Sequence, residues 1–226
     1  DSYVPTAATA VYLPRQGHHI YDGASWVNKG LLHESEARTN MVNYSIPTVA
    51  NWNTINSTLA ENAAVGIDGT LSASRLTGDG TNNAHRTGIN ASLTGLSTCA
   101  IAVRKDSTHP FVQIIQGSDG TFYQNFDIAS GNLGSTGAGV VSTGIVDEGD
   151  FWKLYVTFNV VTNAVFYIYL APNATAGYGQ ASTSSDYIDI ASAQFEAGAT
   201  PSSYIPTSGA SATRAADVLT IPAANM

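Results

Sequence analysis

Tyrosines at alternating positions are the side chains of this sequence best suited to binding chemistry. Tyr155 lies in FWKLYVTFNVV (151–161), and Tyr167 and Tyr169 lie in AVFYIYLA (164–171). Alternation with apolar residues places them on the outer face of strands whose inner face is buried. Aromatic rings stack on the C–H faces of sugars, while amides fix the sugar's orientation. We predict a sugar site formed by Tyr155, Tyr167, Tyr169, Gln113 and Gln124. The open alternative is that the tyrosines pack under a loop or against another subunit.

A second set of side chains could bind calcium. The segment GDGTNN places the oxygen-bearing Asp79, Thr81 and Asn83 at alternate positions, as at the start of a calcium loop. An EF-hand would need Gly at position 84, where this chain has Ala, so an EF-hand is excluded. What remains is one structural Ca²⁺ with ligands among Asp68, Asp79 and Glu196, or an Asx-rich turn without metal. No other cofactor is predicted.

Sequence motifs of catalysis are missing. None of the five histidines belongs to an HExxH or another spaced ligand set, and no GxSxG elbow, P-loop or dinucleotide fingerprint occurs. VDEGD brings Asp147, Glu148 and Asp150 together, and glycosidases do use paired carboxylates. This segment is more typical of a turn before the strand that begins at 151. We therefore expect a protein that is not an enzyme.

The excess of acidic over basic residues limits the classes of partner that the chain could bind. The 226 residues include 9 Lys and Arg against 17 Asp and Glu, a net charge of −8. Nucleic acids and anionic membranes require clustered basic residues, and these nine are scattered. No run approaches the ~20 apolar residues of a transmembrane helix. We expect neither a nucleic-acid partner nor membrane insertion. The single Cys99 excludes an internal disulfide and is typical of a buried strand position. A chain that starts at Asp1 is typical of a mature form or a fragment.

Short alternating segments must position these side chains. They are separated by Gly, Asn, Asp and Ser turns, which is typical of an all-β, antiparallel sandwich or barrel. The predicted strands are 71–77, 85–91, 97–105, 111–117, 121–129, 151–161, 164–171 and 187–196. The Gly/Ser-rich stretch 131–144 is predicted as a surface loop, and residues 1–35 as an extended N-terminal arm.

The two tyrosine-bearing strands allow a prediction of register. A three-residue loop over 161–163 would pair Phe158 with Phe166 and keep both apolar faces on one side. A two-residue turn would instead pair the apolar face of one strand with the tyrosine face of the other. We therefore predict a hairpin with the three-residue loop, in which Tyr155 lies opposite Tyr169.

Motifs along the chain carry a resemblance to a known family. The first group is Pro14-Arg15, Gly30-Leu31-Leu32, Glu36-Ala37-Arg38-Thr39-Asn40 and Tyr44-Ser45. The middle group is Asp68-Gly69-Thr70, SASRLTG (72–78) and His85-Arg86. The last group is AQFE (193–196), SYIPT (203–207) and TRAAD (213–217). Together they resemble tailed-phage and prophage virion surface proteins of the tail-fibre or head-spike and head-fibre type. His33 departs from the pattern, since the family has an apolar residue there.

The resemblance implies a fold and a setting. The fold is a carbohydrate-binding-module-like β-jelly roll over 36–206, with the N-terminal arm over 1–35 before it and a C-terminal exit segment over 207–226 after it. The setting is the virion surface, outside the cell, as a fibre, spike or capsid decoration. The implied partners are other virion proteins, further copies of the chain (a homotrimer by preference) and a host-surface glycan. Two alternatives stay open: a structural cement or spacer protein without a sugar site, and the binding module of a polysaccharide-degrading enzyme.

The resemblance also implies that the exit segment is a fixed part of the fold, which leaves beside the incoming chain. Arg38 and Arg214 are cations in otherwise small, neutral stretches. A buried arginine must be paired. We therefore predict a clasp, in which Arg38 pairs with Glu196 or Arg214 pairs with Glu36, from the set Glu36, Arg38, Glu196, Arg214 and Asp217. The alternative is exposed charges that contribute about 0–1 kcal/mol.

Overall fold

The fold consists of β-strands. The computed structural model describes residues 15–21, 25–91, 93–117, 120–160 and 164–218, and these residues form sixteen strands and no helix. The strands are β1 Arg15–Tyr21, β2 Trp26–Leu32, β3 Arg38–Asn40, β4 Asn53–Ile55, β5 Ser57–Val65, β6 Leu71–Gly78, β7 Arg86–Ala91, β8 Gly95–Arg104, β9 Phe111–Gln116, β10 Tyr123–Asp127, β11 Asn132–Thr136, β12 Val140–Asp147, β13 Phe151–Val160, β14 Ala164–Leu170, β15 Tyr187–Ala197 and β16 Ala212–Arg214.

Two six-stranded antiparallel sheets make the body of the molecule. Sheet I has the strand order β11-β10-β9-β14-β7-β4, and sheet II has the order β12-β13-β8-β15-β6-β5. Two smaller sheets, β1-β2 and β16-β3, have two strands each. Consecutive strands repeatedly alternate between sheets I and II, so the chain winds around a shared interior. The antiparallel β-sandwich predicted from the sequence is confirmed; its jelly-roll connectivity and the N-terminal arm stay predictions.

The core lies between the inner faces of the two sheets. Four phenylalanines, contributed by both sheets, are fully buried there: Phe126, Phe158, Phe166 and Phe195. Trp52 meets the ring of Phe166 edge-on, with centroids 6.1 Å apart. Such large apolar side chains on alternating positions give each strand one buried face. Cys99 is also fully buried on β8, as the sequence predicts, and burial raises the pKa of its thiol well above the ordinary value.

All eight predicted strands are present, but the loop predicted over 131–144 is wrong. The segment forms β11 and β12, which are the outermost strands of sheets I and II. Edge strands bury little, so their sequence need not alternate. Gly134 also serves a packing need, because a Cβ there would lie 2.2 Å from the carbonyl oxygen of Ala174. The sequence also missed the short or weakly alternating strands β1 to β5 and β16.

The predicted hairpin between the tyrosine-bearing strands is wrong. β13 belongs to sheet II and β14 to sheet I. Phe158 pairs with Ser97 and Val140, while Phe166 pairs with Ile89 and Gln116. Two strands with one apolar face each can bury those faces across a sandwich just as well as side by side, and this chain uses the first arrangement. The connecting residues 161–163 lie outside the described residues.

Candidate functional site

The outer face of sheet II carries a regular pattern of side chains around a floor of alanines. The pairing of β13, β8 and β15 aligns Lys153 with Ala102 and Ser192 in one row. The next row aligns Tyr155 with Ala100 and Gln194. Residues directly across an antiparallel ladder share a face of the sheet. The central positions, on β8, carry only methyl groups, so the face has a depression between the longer side chains of β13 and those of β15.

A cleft of about 330 Å³ lies above this floor. Its walls come from separate parts of the chain: Ile67 in the β5–β6 turn, Glu148 in the β12–β13 turn, Leu32 at the end of β2 with Glu34 after it, and residues 201–204 after β15. Ligand sites in proteins are clefts of roughly 300–1,000 Å³ with a few convergent polar groups. We call this feature the sheet II cleft; it is the candidate site of the molecule.

A buried carboxylate holds the wall formed by residues 201–204. Glu196 is 0 % exposed, and its Oε1 accepts hydrogen bonds from the Ser202 amide at 2.7 Å and from Gln194 Nε2 at 2.8 Å. Its Oε2 accepts from Ser202 Oγ at 2.7 Å. Gln194 Oε1 in turn accepts from the Ile205 amide at 2.7 Å. This network holds residues 201–204 over the sheet. It also uses the Gln194 side-chain amide in hydrogen bonds within the protein.

Lys153 and Ser192 differ from their neighbours in having unused hydrogen-bonding capacity. Lys153 is half-buried, and its Nζ donates to the Ser202 carbonyl at 3.0 Å. Within the described part of the chain no carboxylate lies within 4.0 Å of that nitrogen. Ser192 is 6 % exposed, and its hydroxyl has no hydrogen-bond partner among the described residues. Both side chains line the sheet II cleft, so a bound molecule could use both groups.

Tyr155 lies beside the cleft as a flat aromatic surface. Its ring covers Gly144 on the neighbouring strand β12, where an added Cβ would lie 2.5 Å from the ring. The glycine thus allows the ring to lean over β12, the neighbour of β13 on the side away from β8 and the alanine floor. A half-buried aromatic ring of this kind is a stacking surface for a sugar. Of the predicted sugar-site residues, Tyr155 is the one on the outer face of sheet II, in the same row as Ala100 and Gln194 of the cleft.

The other predicted sugar-site residues belong to sheet I and do not join Tyr155. Tyr169 is 6 % exposed, and burial raises the pKa of its hydroxyl while the Arg86 charge opposes that rise. Gln113 is 1 % exposed and is bonded to Asn125 and to the loop backbone at Gly177 and Gly179.

Gln124 and Tyr167 complete that group. Gln124 is fully buried, and its amide contacts Thr136 and Gly134 on β11. Tyr167 is half-buried and has the Arg86 guanidinium 4.2 Å from its ring centroid. On sheet I the tyrosines and glutamines thus pack under a loop and among themselves, which is the alternative that the sequence left open.

The three predicted calcium ligands do not form a group. No cluster of three or more His, Cys, Asp or Glu side chains suited to a metal occurs among the described residues. Asp68 and Asp79 flank opposite ends of β6, and Glu196 is committed to Ser202.

Each of these two aspartates closes a local turn. Burial acts to raise the pKa of Asp68, but hydrogen bonds from Thr70 and Ser72 outweigh it and lower the value. Hydrogen bonds from the Thr81 side chain and amide lower the pKa of Asp79. Calcium binding therefore stays a prediction for which the described residues offer no site.

The clasp residues join the incoming and outgoing chain, with pairings that differ from those predicted. Strand β16 pairs with β3, which places Arg214 opposite Arg38. Arg38 pairs with Glu36 at 2.7 Å and donates to the Ala197 carbonyl, and does not pair with Glu196. Arg214 donates to the Glu36 backbone carbonyl at 2.9 Å, so the predicted contact with the Glu36 carboxylate is wrong.

Glu34, which the sequence reasoning missed, is at the centre of this junction. Its Oε2 lies 3.3 Å from Arg214 Nε, close enough for an ion pair although the angle is not that of a hydrogen bond. Its carboxylate also accepts from the Ser203 amide and hydroxyl at 2.8 and 2.6 Å. Asp217 accepts from the Glu34 amide at 2.8 Å and donates its own amide to the Glu34 carbonyl at 2.9 Å. The contacts around Glu34 connect this junction to the wall of the sheet II cleft.

Sequence reasoning also missed Lys153 and Ser192 as candidate ligand contacts. A signal was present, since Ala100, Ala102 and Ser192 are small residues at alternating positions of two central strands. Small outward side chains on central strands indicate a depression in the sheet surface. The sequence does not show which segments surround this depression.

Comparison with known proteins identified no relative of this chain. A scan against protein-family models found no match, and a search of curated proteins found none. The resemblance to virion surface proteins therefore rests on the motifs alone. Within the ranges that the structure describes, no helix has the length and apolar character needed to cross a membrane.

Proposed function

We propose that the chain is a non-catalytic carbohydrate-binding module and that the sheet II cleft is its sugar site. The observation that carries this proposal is the combination, on one sheet face, of a tyrosine ring, an alanine floor, and the Lys153 and Ser192 side chains, which keep hydrogen-bonding capacity for a ligand. Sugars need this combination, because their C–H faces pack on aromatic rings and their hydroxyls need hydrogen-bond partners. In line with the motifs described above, we place the module on a phage virion surface, as part of a fibre, spike or capsid decoration that binds host glycans and self-associates, with a trimer favoured.

A glycan array with purified chain tests the proposal. Ala102→Trp fills the floor of the cleft with an outward-facing side chain, and Tyr167→Ala alters the sheet I face as the matched control. We expect a defined set of glycans to bind the unchanged chain and the Tyr167→Ala variant, and Ala102→Trp to lose them. Binding lost in Tyr167→Ala and kept in Ala102→Trp would move the site to sheet I. A blank array with folded protein would contradict the proposal.

A second candidate function is that of a structural spacer in the virion, and apolar side chains on the edge strands favour it. Leu133 on β11 is 47 % exposed and Val141 on β12 is 57 % exposed. Exposed apolar residues on sheet edges are typical of contacts between subunits. Under this function, Val141→Lys should lower the oligomer mass measured by light scattering. An unchanged mass would count against a contact at this edge.

A further inference from the structure

We infer that the sheet II cleft selects sugars that carry a carboxylate, and that Lys153 and Ser192 bind that group. This inference rests on the proposed function and adds the class of sugar to it. Neutral glycans and acidic glycans such as polyuronates or sialylated chains make different demands on a site. An acidic sugar needs a cation that is not already neutralised, together with a hydroxyl or amide donor close by.

Lys153 stands apart from the other cations whose side chains the structure describes. Five of them have a carboxylate partner within 4 Å: Arg38, Arg75, Arg104, Lys105 and Arg214. Arg86 is stacked on Tyr167 and Tyr169. Lys153 has neither kind of partner among the described residues, and only the Ser202 carbonyl accepts from it. A half-buried ammonium in a cleft gains most from an anion, because water is partly excluded there.

Ser192 supplies the second donor. It lies across Ala102 from Lys153 in the same row of the sheet, so their Cα atoms are separated by two strand spacings, about 10 Å. The long lysine side chain and the alanine methyl between them leave room for one small group above the floor. Ser192 lines the cleft and its hydroxyl has no partner among the described residues, so it can donate to a molecule bound there. A carboxylate can accept from both the ammonium and this hydroxyl.

The surroundings favour a singly charged carboxylate over a phosphate. Two carboxylates, Glu148 and the Arg214-paired Glu34, line the cleft. The whole chain carries a net charge of −8. Both would repel a dianion more strongly than a monoanion.

Matched pairs of ligands test the inference. Oligogalacturonate, oligoglucuronate and sialyllactose are each titrated by calorimetry beside their methyl esters, which keep the sugar and lose the charge. We expect at least one acid to bind roughly tenfold more tightly than its ester, as a hydrogen-bonded charge pair predicts. Its affinity should fall as NaCl rises, because salt screens the pair.

Variants of the full chain locate the effect. Lys153→Gln removes the charge and keeps a donor for the Ser202 carbonyl, so the wall of the cleft stays in place. We expect it to reduce the acid's affinity to that of the ester, while Lys153→Arg retains most of the preference. Ser192→Ala should lower the acid's affinity by a smaller factor. Thermal unfolding of each variant confirms that the fold is kept.

The outcomes separate this inference from the proposed function. Equal binding of acid and ester, blocked by Ala102→Trp, would overturn the carboxylate preference and leave the sugar site standing. A preference for the acid that persists in Lys153→Gln would overturn the role of Lys153. Failure of every acid and ester, together with a blank glycan array, would overturn both proposals.

Discussion

At the scale of single residues, buried polar groups hold the segment after β15 against sheet II. Glu196 is a carboxylate without a cation among its described partners, and it is stabilised by hydrogen bonds from Gln194 and Ser202. Burying a charge is costly unless its hydrogen-bond capacity is used. The wall of the sheet II cleft is therefore coupled to the burial of this one side chain.

Replacing Glu196 tests that coupling. Glu196→Ala leaves the Ser202 amide without its acceptor and removes the acceptor of the shortest bond from the Gln194 side chain. Hydrogen bonds to charged groups contribute about 1.5–3 kcal/mol each. We expect the free energy of unfolding, measured by urea titration, to fall by about 3 kcal/mol. Glu36→Ala is the matched control, since this clasp carboxylate is 70 % exposed and should cost under about 1 kcal/mol. Equal effects of the two changes would contradict the central role of Glu196.

His109 makes the stability depend on pH. Burial lowers the pKa of its imidazole, and its Nε2 contacts the Ala171 carbonyl while Nδ1 contacts Ser184 Oγ. The hydrogen bond with the Ala171 carbonyl and the charge of Asp186 act to raise this pKa but are outweighed. The folded state therefore favours neutral His109, and its contribution is full above the unfolded pKa of about 6.5. As the pH falls below that value, the unfolded state takes up a proton first and the contribution is lost.

We therefore expect the free energy of unfolding to drop between pH 7.5 and pH 5.5, and to drop less in His109→Gln. His33→Gln removes an exposed histidine and should keep the full pH dependence. Urea unfolding at both pH values measures the difference. A His109→Gln variant with the same pH dependence as the unchanged chain would show that His109 does not titrate differently on folding.

At the scale of elements, alternation in each strand decides which side chains are buried, and glycine on a neighbouring strand decides how an aromatic ring lies. β13 turns Leu154, Val156 and Phe158 inward and Lys153 and Tyr155 outward. The Tyr155 ring then covers Gly144 on β12. Such a ring compensates for the missing side chain of a strand glycine, because it packs on the exposed backbone.

A double-mutant cycle tests this pair. Gly144→Ala places a methyl group where the ring lies, so it should destabilise the chain by about 1–2 kcal/mol. In a Tyr155→Ala background the same change meets no ring and removes a flexible glycine, so it should be neutral or stabilising. Thermal or urea unfolding of the four proteins gives the coupling energy. Additive effects would mean that the ring does not depend on Gly144.

At the scale of the whole molecule, the segment that follows β2 and the segment that follows β15 are held together. β16 pairs with β3, Asn40 donates to the carbonyls of Ala193 and Ile205, and Ile205 is buried. These contacts join segments more than 150 residues apart in sequence. The segment after β15 is thus part of the packed body over its described residues.

Deleting residues 199–226 removes this packing. Burial of Ile205 alone contributes about 1.5–3 kcal/mol, and the bonds to Glu196 and Glu34 are lost as well. We expect the melting temperature to fall by roughly 6 °C or more for a chain of this size. Val218→Ala, at a position that is 37 % exposed, is the control and should change it by less than about 2 °C. An unchanged melting temperature after the deletion would mean that the segment adds nothing to the cooperative fold.

Sequence alone was enough to predict the all-β class, the eight central strands and the inward faces of β13 and β14. These follow from local alternation, as in β13, where every second side chain is large and apolar. The burial of Cys99 and the turn at VDEGD follow in the same way. Edge strands such as β11 and β12 were not predicted, because they bury too little apolar surface to require alternating apolar residues.

Which strand faces share a sheet depends on tertiary contacts. Tyr155 and Tyr169 have the same local pattern, yet β13 and β14 lie in opposite sheets, because an apolar face is equally well buried across a sandwich as beside a partner strand. Ion-pair partners also depend on tertiary contacts. Arg214 is paired with the Glu34 carboxylate, whereas Lys153 has no carboxylate partner among the described residues. Pairing depends on distances between remote segments, which composition and spacing do not contain. The sheet II cleft exists because such segments meet.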